Sequence, residues 1–264
     1  MLKAYAGQWC LVTGASSGIG AEFARQLAAR GMHCVLVARR EDRLRAVAQE
    51  IEAAHGTRCE IILADLAQPH AGRELLAEVT RRGIALELLV NNAGFGMVSS
   101  LDETDVARAL KLIQVNVTCL TELTLLVAKE MAPRGHGGII NIGSVVSFQP
   151  VGYMGAYAAS KAYVLHFSEA LWAELRPRGV TVTTLCPGTT RTEFFDQSGV
   201  PGWAERNRGQ DVTSVVRTGL AAFDAGRPSV VSGWTNYLVT LAARLATRVT
   251  VVNWSLSIFR PRRT

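Results

Sequence analysis

The stretch WCLVTGASSGIG, residues 9–20, leads from an apolar run of strand length through three glycines into an amphipathic segment of helix length. Gly14 permits a tight turn, Gly18 lets the backbone approach a pyrophosphate, and Gly20 lets the helix pack close to the strand. The amides at the start of that helix carry partial positive charge and are expected to face phosphates. A purely structural turn is the alternative, which the strand before it and the helix after it disfavour. The turn residues expected at a dinucleotide are Gly14, Ser16, Ser17, Gly18, Ile19 and Gly20.

The same alternation of strand and helix patterns continues along the chain. Apolar runs predict seven strands, at 9–13, 34–38, 59–64, 86–91, 138–144, 180–186 and 229–232. Apolar spacing of three and four residues predicts helices at 21–30, 42–54, 72–82, 104–131, 157–176 and 211–225. Such alternation requires right-handed crossovers, so we predict an α/β fold: a doubly wound, Rossmann-type, seven-stranded parallel sheet with helices on both faces.

Length and composition suit one compact domain. The chain has 264 residues, of which 48% are hydrophobic and 19% charged. We therefore predict a single domain over 1–264, with a core at 9–232 and an amphipathic, helical C-terminal extension at 233–264. The net charge of +6 favours anionic partners of any kind. We expect no nucleic acid, because there is no recognition motif or aromatic-basic stripe and the excess charge is expected to be scattered along the chain.

The cysteines and histidines give no metal pattern. The five cysteines are odd in number and form no CxxC pair, so we interpret them as reduced core thiols rather than as disulfide or zinc residues. The five histidines share no motif spacing, and no metal site is expected. The first nine residues show no apolar signal region with a cleavage site, and we expect a cytoplasmic protein.

Two arginines follow the second predicted strand, where an NAD-selective site usually carries a carboxylate for the ribose 2′-hydroxyl. Arg39 and Arg40 can instead hold a 2′-phosphate through charge-assisted hydrogen bonds, which favours NADPH and makes NAD less favoured. The alternative is that both are solvated loop charges. Asp65, with Leu66 after it, ends the third strand and is expected either at the adenine edge or as a helix cap.

Tyr157 and Lys161 lie four residues apart on a predicted helix and therefore share one face. An ammonium beside a phenol stabilises phenolate, so we expect the pKa of Tyr157 to be pulled down toward working pH. A surface Tyr-Lys contact is the alternative. Ser144 ends the fifth strand and can donate a hydrogen bond to a substrate oxygen. Asn116 is a poor helix former inside a long helix, and its amide can hold a water that links Lys161 to solvent.

Several of these motifs, in this order, resemble the short-chain dehydrogenase/reductase family, over residues 9 to about 232. They are the glycine turn, Asn91-Asn92-Ala93-Gly94, Asn116, Ser144, Tyr157-Ala158-Ala159-Ser160-Lys161 and Pro187-Gly188 with Thr192. The resemblance implies a nicotinamide cofactor and a catalytic tetrad of Asn116, Ser144, Tyr157 and Lys161. It also implies that Lys161 and Tyr157 contact the cofactor, that Asn92, Ala93 and Gly94 line it, and that the carboxamide meets Pro187, Gly188, Thr190 and Thr192. Gly143 departs from the family, where a second serine is frequent, and the role of Ser147 stays open.

The function expected from these residues is reversible, NADP(H)-dependent reduction of a carbonyl to an alcohol, with Tyr157 as general acid and base. A cofactor-binding sensor without turnover is the alternative. The aromatic region 189–209, with Phe194, Phe195 and Trp203, suits either a lid over an apolar substrate or an ordinary surface excursion. A hydrophobic ketone, a steroid or a 3-oxoacyl group is the expected substrate.

The C-terminal extension repeats apolar residues at three- and four-residue intervals: Trp234, Leu238, Leu241, Leu245, Val249 and Val252. Its longest uncharged stretch, 228–243, is shorter than the ~20 apolar residues that a spanning helix needs. The extension is expected either to rest on a membrane or greasy substrate, as a peripheral contact, or to pack at a subunit interface of a homodimer or homotetramer. Arginines 260, 262 and 263 end it.

Overall fold

A computed structural model describes residues 4–259, and its centre is one parallel sheet of seven strands in the order β3-β2-β1-β4-β5-β6-β7. The strands are β1 Trp9–Thr13, β2 His33–Ala38, β3 Cys59–Leu63, β4 Leu86–Asn91, β5 Gly138–Ile142, β6 Thr181–Cys186 and β7 Ser229–Val231. The order reverses between β1 and β4, which opens a crevice at their carboxyl ends. The predicted Rossmann-type α/β fold is confirmed.

Helices cover both faces of the sheet. They are α1 Gly18–Ala28, α2 Glu41–His55, α3 Ala71–Arg81, α4 Val106–Ile113, α5 Leu120–Arg134, α6 Gly155–Leu175, α7 Phe194–Gln197, α8 Trp203–Arg206, α9 Val212–Asp224, α10 Trp234–Leu245 and α11 Arg248–Phe259. The segment predicted as one helix at 104–131 differs, because a π-helical turn, Gln114–Cys119, separates α4 from α5. Such a turn inserts one extra residue and marks functional sites in many proteins.

Two apolar layers hold the sheet between its helices. On one side, Leu36 and Val90 pack with Phe23 of α1 and Val216 of α9. On the other side, the clusters of α3, α5 and α6 meet the opposite faces of the same strands. Every residue of β4 is buried, which explains why the central strands are continuous apolar runs.

The segment Val106–Arg134, which comprises α4, the π-helical turn and α5, is long and apolar enough by composition to span a membrane. Leu123, Val127 and Met131 of this segment are buried in the core cluster that also contains α3 and α6 residues. This helix therefore packs on the sheet as a core element. The membrane contact expected from the sequence concerned a different segment, the C-terminal extension.

The C-terminal extension is a hairpin of the two helices α10 and α11. Arginines 260, 262 and 263 lie outside the described residues. The assignment of 1–264 to one domain stays a prediction. Three of the five cysteines come together, because Cys10, Cys34 and Cys59 occupy paired positions on β1, β2 and β3. All five are free thiols, and the described residues contain no group of three His, Cys, Asp or Glu that could hold a metal ion.

Candidate active site

The π-helical turn fixes Asn116 at the carboxyl end of the sheet. Its amide is fully buried, donates to the Phe95 carbonyl at 3.1 Å and to Ser160 Oγ at 3.2 Å, and accepts from the Phe95 amide at 3.2 Å. A Cβ built on Gly94 would lie 2.9 Å from Asn116 Oδ1 and 3.6 Å from Lys161 Nζ. Gly94 thus lets the loop after β4 lie directly against both side chains. Asn116 and Lys161 are thereby brought to one place, as the sequence spacing alone could not show.

Tyr157 and Lys161 lie on one face of α6, and both are buried. Lys161 Nζ donates to the Ile142 carbonyl at 2.7 Å and lies 5.9 Å from the centroid of the Tyr157 ring. The Ser144 side chain lies close enough to the Tyr157 phenol to lower the pKa of that phenol. Ser144 also accepts a hydrogen bond from the Val146 amide at 3.3 Å. The three side chains therefore form one cluster, which excludes the alternative of a surface Tyr-Lys contact.

The expected lowering of the Tyr157 pKa by Lys161 was wrong. Burial raises the pKa of Tyr157 above its ordinary value, and the neighbouring Ser144 hydroxyl opposes this only in part. Burial also lowers the pKa of Lys161 to about 8. The physical reason is that desolvation disfavours both the phenolate and the ammonium, and that the ammonium is directed at the Ile142 carbonyl.

Ser147, whose role the sequence left open, positions Ser144. Its hydroxyl accepts a hydrogen bond from the Ser144 amide at 3.1 Å, and the two residues form a reciprocal capping box at a 3-10 helix, Val145–Phe148. The departure at Gly143 has a packing cause. A Cβ there would lie 2.9 Å from Cys186 Sγ and 3.2 Å from Ser147 Oγ, so a larger residue would press on the pair that holds Ser144.

Apolar side chains surround the Tyr157 ring. The buried cluster that contains Tyr157 also includes Leu112, Val151 and Met154. Phe194 of α7 closes it from the other side, with ring centroids 5.4 Å apart. Phe194 of the region 189–209 is therefore packed against the phenol, and the choice between a lid and a surface excursion with packed aromatics stays open. The contact of this region with the loop after β4 is continuous, since the Val98 amide donates to the Ser198 carbonyl at 3.0 Å.

The glycine turn is fastened from the β4 side. Asn92 Nδ2 donates to the Thr13 carbonyl at 2.9 Å and to the Gly14 carbonyl at 3.3 Å, and the Ala93 amide donates to Thr13 Oγ1 at 3.0 Å. Gly14 has φ +66°, and a Cβ on it would lie 2.8 Å from Asn92 Nδ2. A Cβ built on Gly20 would lie still closer to Asn92 Nδ2 and would overlap the Gly14 carbonyl oxygen. Asn92 and Ala93 thus shape the turn itself.

The helix that follows the turn begins with free amides. Ser17 precedes α1 in an extended conformation and makes no side-chain cap, while Ile19 packs onto the core. Gly18 has φ +56°, and a Cβ on it would lie 3.0 Å from Thr192 Cγ2. The uncapped amides and the absent side chain leave a cradle that suits a phosphate group. Thr192 faces this cradle from the segment over Tyr157.

Arg40 lies at the glycine turn, whereas Arg39 does not. Arg40 donates to Ser16 Oγ at 3.0 Å, to Ser17 Oγ at 2.7 Å and to Glu193 at 2.9 Å. Arg43 also pairs with Glu193. The Arg39 side chain is exposed and makes no hydrogen bond or ion pair with any other residue between 4 and 259. Arg43 thus joins Arg40 at Glu193, and the role of Arg39 at a 2′-phosphate stays a prediction.

The remaining predicted positions form the edges of the crevice. Asp65 is exposed and accepts from the Ala67 amide at 3.1 Å, so it caps a local turn, while Leu66 is buried. The Pro187 carbonyl accepts from the Val145 amide at 2.9 Å, and Thr190 Oγ1 donates to the Gly188 carbonyl at 3.0 Å. The turn after β6 is thereby tied to the segment that carries Ser144.

The chain is similar in sequence to a known family and to several known proteins. The profile of the family described as short chain dehydrogenase matches residues 8–200. The chain belongs to this family. This short-chain dehydrogenase is 33% identical over 204 residues to the 17-beta-hydroxysteroid dehydrogenase type 3 of Rattus norvegicus, over 75% of this chain and 66% of that protein. It is 35% identical over 195 residues to the very-long-chain 3-oxoacyl-CoA reductase of Anas platyrhynchos, over 71% of this chain and 61% of that protein.

The chain thus spans between three fifths and two thirds of the length of these two relatives. One solved structure is similar to nearly the whole chain. The short-chain dehydrogenase from Sphingobium yanoikuyae in complex with NADPH is 33% identical, with a TM-score of 0.81, over 97% of this chain and 98% of that chain.

Sequence reasoning missed four residues of the site: Arg43, Ser147 in its positioning role, Ser160 and Glu193. Arg43 had a usable signal, because it lies one helical turn after Arg40. Ser160 lies within the Tyr-Lys motif and donates to the Tyr157 carbonyl at 2.7 Å. Glu193 had no local signal, since it is 153 residues from Arg40 along the chain.

Proposed function

We propose that this short-chain dehydrogenase reduces the carbonyl of a hydrophobic substrate to an alcohol with NADPH, and catalyses the reverse reaction. The observation that carries the proposal is the cluster of Ser144, Tyr157 and Lys161 beside the glycine turn. A buried phenol next to a serine hydroxyl and a lysine is a proton donor in the place where a carbonyl oxygen can be polarised.

The residues present fit a phosphorylated nicotinamide dinucleotide. The cradle at Gly18 and the uncapped start of α1 suit the pyrophosphate. Arg40 and Arg43 carry two guanidinium groups that already hold a carboxylate, Glu193, and a 2′-phosphate offers the same kind of acceptor with more charge. When bound, the nicotinamide supplies the hydride that reduces the carbonyl carbon.

The chain's own residues then handle the oxygen and its proton. Tyr157 gives its phenolic proton to the oxygen as negative charge develops there, and its raised pKa keeps that proton in place until it is needed. Ser144 Oγ accepts from the Val146 amide, which leaves its own hydrogen for the substrate oxygen. The Lys161 ammonium, 5.9 Å from the centroid of the Tyr157 ring, can supply the proton that restores the phenol, and Asn116 can hold a water that links Lys161 to solvent.

The surroundings of Tyr157 favour an apolar substrate. The ring is enclosed by a cluster of aliphatic side chains and by Phe194, which bind hydrocarbon better than sugar or charged groups. The two relatives are named for a hydroxysteroid and a 3-oxoacyl-CoA, both carbonyl compounds with large apolar parts. We therefore propose a bulky ketone, a steroid or a 3-oxoacyl group.

The test measures NADPH consumption with a panel of hydrophobic ketones for the parent, for Tyr157→Phe and for Tyr163→Phe. Tyr163 is the matched control, because it lies on the same helix and its hydroxyl accepts a hydrogen bond from Thr121 at the surface. We expect turnover by the parent and the control alone. Turnover by Tyr157→Phe would remove Tyr157 from the mechanism. Binding of NADPH without turnover by the parent would favour the sensor.

A further inference from the structure

The hairpin of α10 and α11 carries its large apolar side chains on the outside. Trp234 is 75% exposed, Leu245 is 91% exposed and Val249 is 70% exposed. In α10, which is described in full, Thr240 is the one buried residue. A helix of a soluble domain normally turns its apolar stripe to the core. The stripe noted in the sequence thus faces away from the sheet, and an exposed patch of this kind marks a binding surface.

The orientation of the hairpin is fixed by contacts on its inner side. Ser255 Oγ accepts a hydrogen bond from the Gly152 amide at 2.8 Å, and Leu256 packs against Gly152. At the edge of this contact, the exposed Arg244 guanidinium lies 5.4 Å from the centroid of the Phe148 ring. The hairpin is therefore docked on the segment between Ser144 and Tyr157, and the outward direction of its apolar residues is not a consequence of loose attachment.

A groove of about 320 Å³ opens between the two helices. Val239, Ala243, Val251 and Trp254 line it. At its inner end, Gln149 Oε1 is buried and has no hydrogen-bond partner. A groove of aliphatic and aromatic walls suits a hydrocarbon chain, and the free acceptor suits a hydroxyl or amide donor near that chain.

The charge of the chain is concentrated in the same region, and our expectation that it is scattered was wrong. Residues 225–264 contain six arginines and no Asp or Glu, whereas the other 22 Lys and Arg are balanced by 22 Asp and Glu. The whole net charge of +6 therefore belongs to these residues. Arg244 and Arg248 have no carboxylate partner among the described residues.

A second copy of the chain is a poor occupant of this surface. A two-fold contact places the same patch on both sides, so Arg244 and Arg248 of each copy would bring four guanidinium groups into one interface. No carboxylate between 225 and 264 could neutralise them. An anionic lipid surface offers what a second copy lacks, because it combines hydrocarbon with phosphate groups.

We propose that the α10–α11 hairpin docks on an anionic phospholipid bilayer. Trp234, Leu245 and Trp254 enter the interface, which is the depth that tryptophan prefers. Arg244 and Arg248 meet the headgroup phosphates, and an acyl chain can occupy the groove. The proposal does not depend on the catalytic function, because none of these residues belongs to the Tyr157 cluster.

Co-sedimentation of the full chain with vesicles tests it. We expect binding to vesicles of phosphatidylcholine with phosphatidylglycerol, weak binding to phosphatidylcholine alone, and weaker binding at high salt. Trp234→Ser with Leu245→Ser should lower the partition coefficient at least tenfold. Arg244→Gln with Arg248→Gln should lower it about 25-fold, at about fivefold for each arginine.

Matched controls are Leu101→Ser and Arg81→Gln, which change equally exposed residues outside the hairpin and should bind like the parent. Thermal unfolding shows whether each variant is folded. Failure of the parent to bind anionic vesicles would overturn the proposal, as would equal binding by the hairpin variants. A dimer in sedimentation analysis that only the hairpin variants dissociate, without vesicle binding, would assign the surface to a second copy instead.

Discussion

The two ends of the crevice differ in how deeply their side chains are buried. At the Tyr157 end, Asn116 is 0% exposed and Lys161 4%. At the arginine end, the side chains of Arg40 and Glu193 are 35% and 40% exposed. Groups at the buried end interact strongly and have shifted pKa values, because water does not screen them. Groups at the open end are screened, so their interactions are weak and adjustable.

The difference separates the chemical step from cofactor selection. A proton-transfer group works through its pKa and its geometry, both of which burial fixes. A selection site must release its cofactor after each turnover, which a half-exposed ion pair allows. We therefore expect substitutions at the buried end to change turnover, and substitutions at the open end to change the choice between NADPH and NADH.

The largest effect is expected for Tyr157→Phe. The variant lacks the proton donor while the ring keeps its packing against Phe194, so kcat should fall about 10³-fold. The dissociation constant for NADPH, measured by fluorescence titration, should change by less than about threefold. Parallel loss of kcat and of NADPH affinity would show that the two ends form one coupled site. That result would contradict the separation of the chemical step from cofactor selection.

The pH dependence of reduction tests the buried end without a substitution. Burial lowers the pKa of Lys161 to about 8, so the ammonium that restores the Tyr157 proton is lost as the pH rises above that value. We expect kcat to be level below pH 8 and to fall above it by up to about tenfold per pH unit. A level profile up to pH 10 would contradict a role for the Lys161 charge.

The free energy of unfolding should rise over the same pH range in which kcat falls. The folded-state pKa of Lys161 lies below the ordinary lysine value of 10.5, so the unfolded chain binds this proton more tightly. The destabilising contribution is fully present below pH 8 and is relieved as the pH rises to 10.5. Relative to Lys161→Met, the parent should therefore gain free energy of unfolding between pH 7 and pH 10. Denaturant unfolding at both pH values measures it and separates lost turnover from lost structure.

At the open end, Arg40→Gln should raise the KM for NADPH about tenfold and leave the KM for NADH nearly unchanged. The loss of one guanidinium from a phosphate removes charge-assisted hydrogen bonds, discounted for the exposure of this pair. Gln can still donate to Ser16 or Ser17, so the glycine turn keeps a partner. An equal rise in both KM values would identify Arg40 as a support of the turn rather than a reader of the 2′-phosphate.

The sequence predicts those features of the fold and the site that depend on residues close together along the chain. The seven strands were placed nearly residue by residue, because a strand buried on both faces must be an apolar run. Tyr157 and Lys161 were placed on one face by helical spacing alone. The π-helical turn at Asn116 escaped prediction, since its residues have no composition that separates them from an ordinary helix.

The interactions that sequence reasoning missed are long-range. The raised pKa of Tyr157 depends on burial by side chains from four other segments, which no local pattern encodes. The outward direction of the apolar residues in the hairpin depends on its contacts with the core. Gly152 contacts α11, and Phe148 contacts α10. The pairing of Glu193 with Arg40 joins the segment over Tyr157 to the first turn of α2.

That pairing leads to the smallest expected effect. The Glu193 carboxylate forms ion pairs with Arg40 and Arg43. A 2′-phosphate must therefore displace this carboxylate or share the two guanidinium groups with it. Glu193→Gln removes the competing charge and should tighten NADPH binding about two- to fivefold, the range expected for an exposed ion pair. NADH, which has no 2′-phosphate, should gain nothing. Fluorescence titration of both cofactors measures the difference.

The sign of the Glu193→Gln effect decides what the carboxylate does. Tighter NADPH binding means that Glu193 competes with the phosphate and that the open end is set below its maximum affinity. Weaker binding of both cofactors means that Glu193 mainly fastens the segment over Tyr157, in which case the two ends of the crevice communicate through residues 193–194. Glu205→Gln, on the same segment but without a bond to either arginine, is the control and should leave both affinities unchanged.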